Sequence, residues 1–226
     1  MIISILPARS GSKRIKNKNI KKFNGYPIIK YPITQIKKSK IFDDIFVSTD
    51  SKKIANLSNK LGAKTPFLRS KNLSNDHVGI IEVTNNYIRM LEKIGIKPDY
   101  ICCVFPTAVF VKSSHLIKAF KILKKDKKID YVFSSTKIER VFLRSFKLQK
   151  NNSVKMHFPR LYNSRSQDLE STYIDAGQFY FARRDTFLRK KMVFTPKSRI
   201  IDLSELKVVD INYLSDWKLA QKILNK

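Results

Sequence analysis

Apolar and polar positions follow two rhythms along the chain. Ile2 to Leu6 is a short apolar run ended by Pro7, and it reads as a buried first strand. A helix is expected after Gly25, with Pro27 in its first turn, where a proline is tolerated. Pro32 then removes one helical hydrogen bond, so a kink or restart is expected there. DIFVST (44–49) reads as a second strand. From Ser51 to Leu61, residues Ile54, Leu57 and Leu61 share one face, and Gly62 ends the helix. Ile80, Ile81, Tyr87, Ile88, Leu91 and Ile94 mark another amphipathic helix, closed by Gly95. DYICCVF (99–105) is a continuous buried strand, and Leu116, Ala119, Phe120 and Leu123 mark the helix after it. DYVFSST (130–136) is a strand again.

From Lys137 to Glu170 both rhythms fail. A structureless stretch of that length in a compact domain points to an insertion or a functional segment. Order returns with GQFYFAR (177–183) and VVDI (208–211), both read as strands. A last helix from about Tyr213 to Leu224 carries Leu214, Trp217, Ala220 and Ile223 on its apolar side. Helices between short buried strands predict an α/β domain with a mainly parallel sheet. The 226 residues fit one domain, with an inserted arm around 137–170. Ligands of such sheets bind at the carboxyl ends of the strands. That rim takes Pro7 to Lys22, Thr49 and Asp50, Pro106 to Phe110, and the turn around Asp210.

Composition adds a strong charge bias. The chain has 46 Lys and Arg against 18 acids, a net charge of +28. A nucleic-acid-binding module is one reading of that number. The lysines are scattered over polar helix faces and loops, however, and no aromatic-interleaved pattern gathers them, so a solvated face is the preferred reading. No nucleic-acid partner is expected. No apolar run approaches membrane-spanning length, and Ile2 to Leu6 is too short for a signal core, so a cytoplasmic protein is expected. Cys102 and Cys103 are neighbours on a strand, point to opposite faces, and read as buried apolar residues.

One stretch concentrates charge. Between Arg9 and Lys22, seven of fourteen residues are Lys or Arg and none is acidic. PARSGSKR is neither of the usual nucleotide fingerprints. A turn of small residues after a first strand can still aim backbone N–H groups at an anion, and Arg9, Ser12 and Lys13 add donors and charge. The alternative is a solvated basic loop. On the acidic side, Asp210 lies on the expected rim and suits a hard cation such as Mg²⁺. Asn212 reads as the N-cap of the last helix and Asp50 as a cap of the helix after it, while Asp76 is ambiguous. The three histidines form no motif, and no nucleophile or zinc signature is present. No side chain stands out as a general base.

Taken in order, ILPARSGSKRIKNKNIK, IFVSTD, FLRSKNLSND, VFPTAVF, SRSQDLESTYIDAGQFYF and VVDINYLSDWKLA resemble the motifs of the sialic acid cytidylyltransferases, also called CMP-sialic acid synthetases. SRSQDL with DAGQFYF, and CCVFPTAVF, are most similar to the pseudaminic acid branch. The resemblance implies a three-layer nucleotidyltransferase fold and transfer of CMP from CTP to a nonulosonic acid, with release of pyrophosphate. It implies Mg²⁺ and a homodimer formed through the inserted arm. It places Ala8, Arg9, Ser12 and Lys13 on the triphosphate, Lys18 and Asn19 on phosphate and ribose, and Arg69 on the cytosine. Lys13, Arg9 and Asp210 become the catalytic set, Asp210 and Asn212 the metal positions, and Arg165 and Gln167 the sugar-binding pair. Arg14, Lys16, Lys21 and Lys22 are left to the general lysine bias. The chain departs from the family pattern at Ser10, where a glycine is usual, at Lys16, Phe105 and Val109, and at Asn212, where many relatives have a second aspartate.

Overall fold

The computed structural model describes residues 1–189 and 192–225. The elements run β1 (Ile2–Pro7), β2 (Lys22–Phe23), β3 (Tyr26–Pro27), α1 (Lys30–Ser39), β4 (Asp44–Ser48), α2 (Lys52–Lys60), α3 (Ile80–Lys93), β5 (Tyr100–Val104) and α4 (Ser113–Lys125). They continue with β6 (Tyr131–Ile138), β7 (Phe146–Leu148), β8 (Val154–Met156), β9 (Thr172–Arg183), α5 (Arg184–Arg189), β10 (Arg199–Asp202) and α6 (Leu214–Leu224). Six strands form the central sheet in the order β10-β6-β9-β5-β1-β4. β10 and β6 are parallel, as are β5, β1 and β4, while β9 runs antiparallel to both its neighbours. The sheet is mainly parallel, as the alternation of elements predicts.

The strands are continuous apolar runs because both faces are covered. Leu6, Val47, Cys102, Val104 and Phe181 face a core shared with α1, α2 and α4. Ile3, Ile5, Phe46, Cys103 and Tyr180 face the other core, closed by α3 and α5. The two cysteines therefore fall in different cores, as strand alternation requires. A third cluster sits apart: Ile15, Phe23, Ile28, Val109, Phe110, Ile211, Trp217 and Ala220 join the basic loop, the 105–111 rim and α6.

Helix punctuation follows the sequence at several ends. Ser51 caps α2 by accepting from the Ile54 N–H, and Gly62 and Gly95 follow α2 and α3 with φ of +83° and +84°, where only glycine is unstrained. Three expectations are corrected. Pro27 lies in the β2–β3 hairpin, not in a helix. Since α1 starts at Lys30, Pro32 falls in the first helical turn, whose N–H groups have no intrahelical partner, and no kink or restart results. Residues 208–211 form no strand; the remaining sheet strand is β10, whose RIID pairs with β6.

The irregular region also has its own order. β6 runs on to Ile138 and β9 begins at Thr172, so the two make a long antiparallel ribbon. Between them lie the β7–β8 hairpin and short 3₁₀ turns. Phe181 tests the main core: it is fully buried and stacked between Phe42 and Phe120, at 5.7 and 6.0 Å. Phe181→Ala is expected to lower unfolding free energy by about 3–5 kcal/mol. Urea unfolding should show an earlier midpoint at unchanged slope.

Candidate active site

At the end of β1 the chain leaves the sheet. The Ala8 N–H still donates to the Ser48 carbonyl at 2.8 Å, and Ala8 is fully buried, so it packs rather than lining the site. The basic loop begins at Arg9. Asp50 accepts two hydrogen bonds from Ser10, one from its N–H at 2.8 Å and one from its hydroxyl at 2.7 Å. Asp50 is thus a strut of the loop and not a helix cap, because Ser51 takes the capping position. Ser10 does not adopt a left-handed backbone; that conformation falls on Asn17, at φ 55°, a residue type that tolerates it. The glycine-to-serine change is accommodated without strain.

Three further ties hold the loop. Ile15 is 2% exposed in the third apolar cluster, and burying such a side chain contributes about 1.5–3 kcal/mol. The Asn19 amide donates to the Arg9 carbonyl at 2.9 Å. The Lys18 ammonium donates to the Ile211 carbonyl at 2.9 Å, which joins the basic loop to the turn before α6. Burial pulls the Lys18 pKa down, Asp210 opposes this, and Arg14 and Arg9 add to it.

A cleft of about 220 Å³ opens over this loop. Arg9, Ser12, Lys13, Lys18, Asn19, Arg69 and Asn212 all line it, with Phe105, Pro106 and Thr107 from the β5 end. Gln178 of β9 fixes that rim: its carbonyl accepts from the Phe105 N–H, and its side chain accepts from the Phe110 N–H. Arg69 is 7% exposed. Its N–H donates to the Thr49 carbonyl at 2.7 Å and its Nε to the Ser74 hydroxyl at 3.1 Å. Its Nη2 is buried with no hydrogen-bond partner among the described residues. Burial lowers the Arg69 pKa, while Asp50 opposes the shift. A buried donor left unpaired is costly, so a ligand acceptor is the natural complement.

Asp210 does not line the cleft; it lies behind Asn212, which does. Asp210 accepts from the Asn212 amide at 2.6 Å. Asn212 does not cap the last helix; Asp216 does that work, accepting from the Asn212 and Tyr213 N–H groups at 2.9 and 2.7 Å. Gly177, at φ +60°, leaves room for Asp210, since a Cβ there would lie 3.0 Å from its Oδ1. On the same strand Asp175 accepts from the Gly177 N–H and the Tyr180 hydroxyl. Burial raises the Asp175 pKa, those hydrogen bonds oppose the rise, and the Asp210 charge adds to it. Tyr180 packs edge-on against Phe105, with centroids 5.3 Å apart.

Among the described residues no group of three or more His, Cys, Asp or Glu could hold a metal. Asp210 beside neutral Asn212, with Asp175 across Gly177, is a sparse set of hard oxygens. Such a set fits Mg²⁺, which is bound through one or two carboxylates with phosphate oxygens completing the shell.

Arg165 and Gln167 are not brought to the cleft of this chain. Arg165 pairs with Asp168 at 2.7 Å, and the Gln167 carbonyl accepts from Arg140 at 2.5 Å, both in the ribbon's outer segment. Three residues emerge that sequence reasoning did not single out. Arg14, set aside as background charge, lines the cleft and lies 5.1 Å over the Tyr213 ring. Asp76 pairs with both Arg9 and Lys13. Asp175 joins Asp210 across a glycine. Of the three acids and bases, only Asp76 was weighed from the sequence, where it is ambiguous.

The cytidylyltransferase family model matches residues 3–224. A pseudaminic acid cytidylyltransferase of Campylobacter jejuni is 39% identical over 225 residues, covering 99% of this chain and 96% of that protein. The CMP-N,N'-diacetyllegionaminic acid synthase of Legionella pneumophila is 29% identical over 230 residues, covering 99% and 96%. Among solved structures, a CMP:2-keto-3-deoxy-manno-octonic acid synthetase complexed with CTP superposes with a TM-score of 0.73 at 12% identity, covering 99% of this chain and 98% of that one. That last likeness is one of fold. The first implication of the opening motifs therefore holds: the chain belongs to the cytidylyltransferase family and is a CTP-dependent nucleotidyltransferase.

Proposed function

We propose that this enzyme transfers CMP from CTP to the anomeric hydroxyl of pseudaminic acid, a nonulosonic acid, and releases pyrophosphate. The observation that carries the nucleotide half is the orphaned Nη2 of Arg69, buried in a cleft that Arg9, Ser12 and Lys13 also line. A cytosine offers ring and carbonyl acceptors to such a donor, while a triphosphate suits Arg9, Ser12 and Lys13. The choice of sugar rests on the relatives at 39% identity that carry that name.

In this reading the sugar hydroxyl oxygen bonds to the α-phosphorus as the bond from that phosphorus to the α–β bridging oxygen breaks, and the hydroxyl proton passes to water. Arg9 and Lys13 stabilise charge gathering on the leaving pyrophosphate, and donors aimed at developing charge are worth most when held in place beforehand. Lys18 and Asn19 hold the loop in register for phosphate and ribose. Ala8 sets the level at which the loop leaves the sheet. Asp210 and Asn212 would hold Mg²⁺, whose role when bound is to neutralise phosphate charge. Arg165 and Gln167 would meet the sugar acid from the inserted arm, the Arg fork suiting a carboxylate.

The arm also motivates a homodimer. Val141, Phe142, Phe146, Leu148, Val154 and Phe158 are all exposed on it. Several exposed apolar side chains on one short segment suit a protein interface. No helix among the described residues is long and apolar enough to cross a membrane, and a cytoplasmic setting, where CTP is supplied, fits this reading.

Pyrophosphate release with CTP, Mg²⁺ and pseudaminic, legionaminic or N-acetylneuraminic acid tests the substrate. Pseudaminic acid is expected to give the highest kcat/KM, and a preference for either of the others would replace it. Lys13→Ala should lower kcat at least about 100-fold, and wild-type turnover in that variant would displace the cradle from the mechanism. Asp210→Asn should raise the Mg²⁺ concentration for half-maximal rate. Gly177→Ala should do the same severalfold, because its Cβ strains a left-handed backbone and pushes Asp210 aside. Titrating Mg²⁺ at saturating CTP reads both. Light scattering should give twice the chain mass, and Phe142→Asp with Phe146→Asp should halve it.

A further inference from the structure

The cations of the cradle are already engaged. Arg9 Nη2 lies 2.5 Å from one oxygen of Asp76 and Lys13 Nζ 2.7 Å from the other. Each oxygen of the carboxylate takes one cation, as two oxygens of a phosphate would. Lys13 first and Arg9 second hold the Asp76 carboxyl down at about 2, so it is ionised throughout the working range. The cleft is correspondingly small. Its 220 Å³ falls below the roughly 300–1,000 Å³ of most small-molecule sites.

The segment that carries Asp76 is loosely tied. Apart from the charged contacts of Asp76 to Arg9 and Lys13, the hydrogen bonds made by residues 71–78 run, among the described residues, only to partners between 69 and 78. Asn75 accepts from the His77 and Val78 N–H groups at 2.8 and 3.1 Å, a turn that points Asp76 at the cradle. Arg69 and Ser74 anchor its start. The ion pairs of Asp76 are what fasten the rest to the basic loop.

We propose that Asp76 is an internal stand-in for the nucleotide's triphosphate, holding Arg9 and Lys13 in the empty enzyme and leaving when phosphate oxygens take its place. This rests on the reading of the basic loop as the triphosphate site. Carboxylate and phosphate cannot share the two cations, because their oxygens would take the same donors and like charges a few ångströms apart repel. Asp76 therefore lowers the apparent affinity for every ligand that brings phosphate charge to this spot. The same competition helps pyrophosphate to leave, since the returning carboxylate refills the cradle. The segment that holds Arg69 also moves its far end during this exchange, so base and phosphate recognition are mechanically linked.

Calorimetric titration of wild type, Asp76→Asn and Asp76→Ala with CTP, pyrophosphate and cytidine tests this. Removing the charge is expected to tighten CTP and pyrophosphate by about fivefold or more, from exposed ion pairs of ordinary strength. Cytidine, which has no phosphate, should bind within about twofold of wild type. In turnover, KM for CTP should fall, and pyrophosphate should inhibit at lower concentration. Unchanged or weaker phosphate-ligand binding in both variants, beside a wild type that binds CTP, overturns the stand-in role alone. A wild type that binds neither CTP nor pyrophosphate overturns the triphosphate site as well. Hydrogen exchange on the wild type needs no variant: pyrophosphate should speed exchange in residues 75–78. Slowed or unaltered exchange there counts against displacement of Asp76.

Discussion

Like-charge repulsion within residues 9–22 is the constraint that shapes the site end of this fold. Seven cations in fourteen residues, with no acid among them, would spread a free loop apart. Two unit charges 4 Å apart repel by about 1 kcal/mol in water and about 4 kcal/mol near a protein surface. The loop is compact because other elements hold it. Ile15 is pinned in an apolar cluster, Asp50 grips Ser10, and Lys18 reaches the Ile211 carbonyl. The repulsion remains as stored electrostatic potential, which an anionic ligand relieves. Rigidity in the loop is what turns that relief into positioning instead of mere collapse.

The opposite charge arrives by a different device. β9 runs against β5 and β6, so its beginning, not its end, reaches the rim where β5 finishes. The register with β6 shifts between Phe133 and Ser135, and the Ser134 hydroxyl accepts from the Gln178 and Phe179 N–H groups across the irregularity. Bulges of this kind bend a strand and re-aim its side chains. Here the bend delivers Asp175 and Gly177 beside Asp210. A wholly parallel sheet would carry those residues to the far end.

Much of this was legible in order and little of it in contact. Short apolar runs between amphipathic helices announced the layered sheet, and Gly62 and Gly95 announced helix ends, while the cap of α2 fell on Ser51 and not on Asp50. VVDI misled because its apolar pair packs onto the Trp217 cluster instead of joining a ladder, while RIID, with one buried position, hides as a strand. Pro32 misled because a proline is judged by its place in a helix, and the hairpin before α1 moved that place. Lys18, Asn19 and Arg69 entered only through the family resemblance, while Arg9, Ser12 and Lys13 were readable as a basic turn after the first strand. The meaning of Asp76 and Asp175 was not readable, since it depends on side chains of opposite or like charge from distant strands and loops.

Two of the departures from the family pattern, Ser10 and Asn212, have related physics. At Ser10 a hydroxyl replaces hydrogen and finds the second oxygen of Asp50, an acid that also lies in the field of Arg69. The loop gains a bond at a position where backbone freedom is not used. At Asn212 an amide replaces a carboxylate and donates to Asp210. A carboxylate there would repel Asp210, and Asp175 already adds negative charge across Gly177. The amide adds no further negative charge beside Asp210, Asp175 and Asp216. Both substitutions therefore exchange a generic feature, glycine flexibility or a second charge, for one directed hydrogen bond. Directed bonds fix orientation, which charge, being non-directional, does not.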